Sequence, residues 1–287
     1  MHAASALLPL RAVVAGAALT FAASALCAAP RVASINLCTD QLLLDLADRS
    51  QVLGLSRNAG GRFGLWDPLP VGDIPVLSGG AEEILVLRPD VVVTGRVTNR
   101  GVRDFLRARG QRLEEFAVLR SLKEARGQIL RMGAIVGQEE RARRRVAELD
   151  AAIARAREIA LVSPLRALAV QRRGWVAGED TLTTSLMSAV GLVNAAAGRG
   201  LRAGRQLDLE SIVALRPDVL IIVGEAGMAV DQGSALLQHP ALEATLPPSR
   251  RIAIPEMLLM CSGPSLIAVV ERLAAELSRL QPLAGLR

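Results

Sequence analysis

Hydrophobic positions along this chain change their spacing in a regular order. Arg31 to Leu37 reads as a strand, Thr39 to Ala47 places Leu42, Leu43 and Leu46 at helical spacing, and Gln51 to Leu55 returns to a strand pattern. Further on, Ile84, Leu85 and Leu87 fall among Glu82, Glu83 and Arg88 as on a short amphipathic helix. Pro89 ends that helix, because proline disfavours helix in the residue before it, and Val91 to Val93 follow as a buried strand. The same succession returns 128 residues later, where LESIVALRPDVLI at 209–221 repeats AEEILVLRPDVVV at 81–93. The second half also opens like the first: Leu165 to Gln171 as a strand, Thr183 to Ala189 as a helix, and Leu192 to Ala196 as a strand-like continuation after Gly191. Strands alternating with helices, once per half, predict an α/β protein of two similar lobes, with mostly parallel sheets flanked by helices.

Between the halves, Val146, Leu149, Ile153 and Ala156 recur at helical spacing within 138–160, and Glu139 and Glu140 stand four residues ahead of Arg143 and Arg144. No glycine or proline interrupts this stretch, so it predicts one long rigid helix joining the lobes; a surface helix inside one lobe is the alternative. The amino terminus has a different character. Arg11, an apolar run at 12–26 and the small-residue exit Cys27-Ala28-Ala29 form a secretory signal, too short in its apolar part for the roughly 20 residues of a membrane helix. The expected organisation is therefore a signal peptide at 1–29, an N-terminal lobe at 30–137, the connecting helix at 138–160 and a C-terminal lobe at 161–287.

Composition narrows the chemistry. The 287 residues are 51% apolar and 22% charged, the range of a folded globular protein. Lys123 is the one lysine, so the formal net charge of +6 is carried almost wholly by arginine, which stays ionised at any working pH. Tyrosine is absent, and after signal removal His239 is the one histidine. The sequence has no GxSxG elbow, HExxH, CxxC or P-loop, which leaves enzyme chemistry without a motif. Dispersed arginines and few aromatics argue against nucleic acid despite the isoelectric point near 10.6. Cys38 and Cys261 remain after export as an even pair in an oxidising compartment, which reads as one disulfide; two thiols facing a metal complex and two unpaired buried cysteines are the other readings.

The order of these pieces resembles the periplasmic substrate-binding proteins of iron-complex and cobalamin ABC importers, the bilobal type with a long connecting helix. The likeness is carried by RVASINLCTDQLLLDLA at 31–47, VLGLSRNA at 52–59, EEILVLRPDVVV at 82–93, SLMSAVGLVNAAAG at 185–198, LESIVALRPDVLI at 209–221 and HPAL at 239–242. It implies a periplasmic protein, monomeric and without a resident cofactor, that takes an iron chelate, haem or a corrinoid in the cleft between its lobes and hands it to a permease. With no tyrosine and a single mature histidine, the usual axial donors for haem iron are missing. An exported enzyme or interaction domain reusing the same fold is the alternative, since fold alone does not specify function.

Ligand contacts are expected at the carboxyl ends of strands, where an α/β lobe forms its crevice. Trp66 and Trp175 lie in such loops and could stack on a flat chelate, or pack their loops onto their own lobes. Arg57 and Arg96 in the first half, with Arg172 and Arg173 in the second, suit an anionic or phosphate-bearing ligand. His239, before Pro240, belongs to a turn or helix end rather than to a metal site. In the family resembled, one acid per lobe pairs with permease arginines; Glu82 and Glu210 occupy that place in the two repeats, and Glu83 competes with Glu82.

Overall fold

A computed structural model of the chain describes residues 29–60, 71–159, 164–224 and 235–284. The expected signal peptide and Trp66 lie outside the described residues. The first lobe runs β1 (Val32–Ser34), α1 (Leu37–Leu46), β2 (Val52–Gly54), α2 (Ala81–Leu87), β3 (Val91–Gly95), α3 (Arg100–Ala108) and β4 (Leu113–Phe116). Its four strands are all parallel, in the order β2-β1-β3-β4. Helices cover both faces. Val32, Val91 and Val93 enter one core while Ala33 and Val92 enter the opposite one, which is why these strands read as continuous apolar runs.

Two helices follow, α4 (Leu122–Val136) and α5 (Glu139–Glu158). The second lobe then runs β5 (Arg166–Gln171), β6 (Trp175–Val176), α6 (Leu182–Ala189), β7 (Val193–Asn194), β8 (Arg205–Gln206), α7 (Leu209–Ala214), β9 (Val219–Val223), α8 (Pro240–Thr245), β10 (Arg251–Ile254), α9 (Met257–Met260) and α10 (Pro264–Ala284). Its sheet follows β10-β9-β5-β6-β8, with β7 beside β5. Strands β10, β9, β5 and β7 are parallel, and β6 and β8 form an antiparallel edge. No described helix is long and apolar enough to cross a membrane.

The duplicated Arg-Pro-Asp element has one structural use in both lobes. Asp90 accepts a hydrogen bond from the Arg31 amide at 2.7 Å, and Asp218 accepts one from the Arg166 amide at 2.9 Å. The guanidinium of Arg31 donates back to the Arg88 carbonyl and that of Arg166 to the Leu215 carbonyl. Each repeat thus clamps the opening strand of its lobe to the strand beside it. The residues before the prolines, Arg88 and Arg216, sit in left-handed conformation at φ 47° and 46°, where the helix has to turn sharply into the strand.

The connecting helix is not a lone strut. Helix α5 is the second arm of a hairpin with α4, turned at Gly137, whose φ of 70° closes α4 by donating to the Gly133 carbonyl. Gly133 lets the arms touch, since a Cβ there would collide with the Cβ of Ala142. The hairpin crosses between the lobes twice. Leu122 and Ala125 of α4 are buried in the second lobe's core and Ile129, Met132 and Val136 in the first; on α5, Ala142 lies in the first core and Leu149, Ala152, Ile153 and Ala156 in the second. Hydrogen bonds from the Leu122 amide to Ser185 Oγ, at 3.1 Å, and from Ser262 Oγ to Gln128 Oε1 tie the same region.

Candidate functional site

The carboxyl ends of β2, β1, β3 and β4 open onto a series of adjoining hollows. The first, of about 260 Å³, is lined by Ser56, Arg57 and Asn58 after β2, Asn36 after β1, and Val97, Thr98 and Asn99 after β3. A smaller one of about 90 Å³ shares Asn36 and Val97 with it, and continues over Val118 and Leu119 after β4 to Cys38 and to Met260 of the second lobe. The next hollow shares Ala117 and Gln128 with that one and is flanked by Arg96, Glu124 and Arg131. A furrow therefore follows the strand order of the first sheet, from Arg57 at one end to Arg96 at the other. Its lip is apolar, because Val97, Val118 and Met260 keep 78%, 62% and 44% of their surfaces exposed.

Helix starts shape this wall. The Asn36 side chain accepts from the amides of Cys38 and Thr39 and caps α1, and Asn99 does the same for α3 with Gly101 and Val102. Asn36 also donates to Thr98 Oγ1 at 3.2 Å, so the loops after β1 and β3 are joined. The loop after β2 is a turn closed by the Ala59 amide on the Ser56 carbonyl, with Arg57 and Asn58 as its central residues. Beneath it Asp40 is completely buried and accepts from both the amide and the hydroxyl of Ser56. Burial pushes the Asp40 carboxyl up to about 6, against the lowering effect of the Ser34 and Ser56 hydroxyls and the Ser56 amide.

Cys38, in the first turn of α1, is bonded to Cys261, between α9 and α10, with Cα atoms 4.9 Å apart. The bridge crosses from lobe to lobe at the floor of the furrow. On the second lobe, Arg172 and Arg173 form a tight turn after β5 in which Arg173 takes a φ of 58°; Arg173 is exposed and Arg172 half-buried. Trp175 follows in β6, opposite Gln171, half-buried against its own lobe's core. Its indole lies against Gly204, where any Cβ would strike the ring. Trp175 does not border the furrow described above; a separate charged groove between the lobes, of about 520 Å³, is lined instead by Arg120, Glu124, Glu179, Asp180 and Arg202.

Glu82 and Glu210 take the same helical position, second in α2 and in α7, and both are exposed. Glu83 is occupied differently. Its carboxylate accepts from the amides of Ser78, Gly79 and Gly80 and from the Ser78 hydroxyl; partial burial opposes ionisation, but these donors hold the group below the usual carboxylate range. Asp208 fills the corresponding capping role in the second repeat, accepting from the Ser211 amide at 2.8 Å. His239 caps α8 through Nδ1, which accepts from the Ala241 amide. Among the described residues no group of three or more His, Cys, Asp and Glu side chains is gathered that could hold a metal ion.

Sequence reasoning missed Asn36, Asn58, Asn99 and the Asp40–Ser56 pair. Asn36 and Asn99 immediately precede helices, the one signal the sequence offered for them, while Asn58 and the Asp40–Ser56 pair carried none.

Residues 32–246 match the profile of a family described as periplasmic binding protein. A search of curated proteins finds no match. Among solved structures, the periplasmic heme-binding protein RhuT from Roseiflexus sp. RS-1 is 26% identical, with a TM-score of 0.69 over 88% of this chain and 99% of that one. A periplasmic binding protein from Veillonella parvula is 18% identical with a TM-score of 0.72, covering 86% of this chain and 91% of its own. The periplasmic heme-binding protein HutB of Vibrio cholerae is 19% identical with a TM-score of 0.70, covering 88% and 98%. The last two likenesses speak for the fold alone.

Proposed function

The chain belongs to the periplasmic binding protein family, and on that footing we propose that it captures an anionic iron chelate or a cobalamin-like corrinoid between its lobes and delivers it, as a periplasmic monomer, to the permease of an ABC importer. The family is one of binding proteins and not of enzymes. The observation that carries the ligand class is the furrow over β2-β1-β3-β4: an apolar lip at Val97, Val118 and Met260 between Arg57 at one end and Arg96 at the other. An amphipathic body with peripheral negative charge satisfies both features. Arg172, Arg173, Trp175 and Trp66 are proposed as further contacts for the part of the ligand that reaches beyond the furrow, which Arg172, Arg173 and Trp175 do not line.

Haem enters through the relatives named for it, yet this chain has no tyrosine, and the Nδ1 of His239 is engaged in a helix cap. A ligand whose metal already carries its own donors fits the residues better. Glu82 and Glu210, exposed at matching helix starts in the two lobes, are proposed as the paired contacts for the permease. Titration of the oxidised mature protein with ferric hydroxamate and catecholate chelates, cyanocobalamin and haemin, followed by tryptophan fluorescence and native mass spectrometry, tests the ligand class. One of the first three classes is expected to bind at a ratio of one to one. Binding of haemin alone, or of none of the four, overturns the assignment.

A further inference from the structure

Among the described residues, Asp40 is a carboxylate without an ionic partner. It is completely buried in the first turns of α1, and its oxygens accept the Ser56 amide at 3.0 Å and the Ser56 hydroxyl at 2.5 Å. Ser56 is itself buried and opens the turn, closed by Ala59, whose central residues Arg57 and Asn58 line the first of the hollows over the first sheet. The carboxylate therefore holds the root of the turn that presents an arginine and an amide to the cleft.

We propose that Asp40 is a positioning residue for ligand capture: ionised, it locks Ser56 and with it the Arg57–Asn58 turn, and protonated in mildly acid surroundings it releases that turn and weakens binding. Ionised, both of its oxygens accept from Ser56. Protonated, one oxygen becomes a donor, and the Ser56 hydroxyl has to turn from donor to acceptor or lose its partner.

The surrounding elements supply no competing charge. On α1, Asp45 is paired with Arg145 at 2.5 Å. Strands β1 and β3, which flank α1, carry no titratable side chain, and the exit of β2 carries Arg57. Helix α4 carries Lys123, Glu124, Arg126 and Arg131, of which Arg126 is paired with Asp150 and Arg131 with Glu114. Among the described residues none of these forms an ion pair with Asp40. Burial accordingly dominates its titration and places it near 6, within the range an exported protein meets when its medium acidifies.

The inference rests on the ligand cleft assigned above, so its first test uses no ligand. In amide NMR spectra of the oxidised, ligand-free protein between pH 5 and pH 8, the Arg57 and Asn58 amides should shift with a common midpoint near 6. In Asp40→Asn, whose side chain is neutral throughout, that transition should vanish. Ser56→Ala, which keeps the hydrogen bond from the backbone amide to Asp40 and removes the hydroxyl, should retain a reduced transition, and it serves as the readout should Asp40→Asn fail to fold. Amides of Arg57 and Asn58 that do not titrate, or that titrate equally in the Asp40→Asn protein, overturn the proposal. The second test measures affinity for whichever of cyanocobalamin or the ferric chelates binds. The wild type should weaken at least about threefold between pH 7.5 and pH 5.5, while Asp40→Asn stays at the weaker value at both. Replacing a purely structural carboxylate would shift the melting temperature and leave this profile unmoved. A profile that persists in Asp40→Asn overturns the proposal, whereas failure of every probe to bind condemns the ligand class and leaves the NMR result to decide on Asp40.

Discussion

Asp40 illustrates how a single side chain can work against the fold that contains it. Its carboxyl lies near 6 in the folded protein against 3.8 when unperturbed, so the folded state holds the proton more tightly than the unfolded chain does. The stability it contributes is complete below 3.8 and is lost as pH rises through about 6. At neutral pH the ionised group then costs up to about 3 kcal/mol, at 1.36 kcal/mol per pKa unit. Asp40→Asn is therefore expected to exceed the wild type in denaturation free energy at pH 7.5, with the gap closing toward pH 4; a constant gap would show that the carboxylate is not the cause. Arg57 and Arg96 should behave in the opposite sense, through binding and not folding. Replacing both by alanine should weaken capture of an anionic chelate, more at low salt than at high salt, because exposed charges are screened. Calorimetric titration at two ionic strengths reads that difference. Both arginines were legible in the sequence because each follows an obvious strand. The asparagines beside them were not: Asn36, Asn58 and Asn99 have no periodicity of their own, and their role depends on which loops the sheet order brings together.

At the level of elements, periodicity located the strands well, because β1, β3, β5 and β9 are buried on both faces and leave unmistakable runs of Val, Ile, Leu and Ala. Helix α5 was visible for the same kind of reason. Its partner α4 was not distinguished, because its apolar residues serve one core at its start and the other at its end, so no single stripe describes it. The repeat also bears on the proposed docking acids. Glu83 is consumed in organising the start of α2, as Asp208 is in α7, and this leaves Glu82 and Glu210 as the matched exposed pair. Exposed ion pairs are individually worth about 0–1 kcal/mol, yet two anchors on one rigid body reinforce each other. Glu82→Ala combined with Glu210→Ala should lower uptake by roughly tenfold while leaving ligand affinity near that of the wild type. Uptake assays in cells, paired with binding measurements on the purified protein, check both halves of that statement, and uptake that survives the double change removes the docking role.

For the whole molecule, two independent devices hold the lobes: the α4–α5 hairpin with its buried side chains, and the bond between Cys38 and Cys261. That bond closes a loop with a sequence separation of 223, for which chain entropy predicts about 5 kcal/mol of stabilisation. Cys38→Ser with Cys261→Ala should lower the denaturation free energy by up to that amount while leaving both sheets formed, which circular dichroism during urea unfolding can follow. The pairing was legible from cysteine count and compartment; its place across the cleft floor was not, because it depends on how the two lobes meet. The same bond changes the topology of the polypeptide. Covalently the stretch from residue 38 to residue 261 is a closed ring, and its peptide bonds form a circuit with no free end. A single protease cut anywhere on that circuit opens the ring without dividing the molecule. Nicked protein should run as one full-length species on a non-reducing gel and as two fragments once reductant is added. Reduction in the cell would therefore turn a tolerated nick into a severed chain.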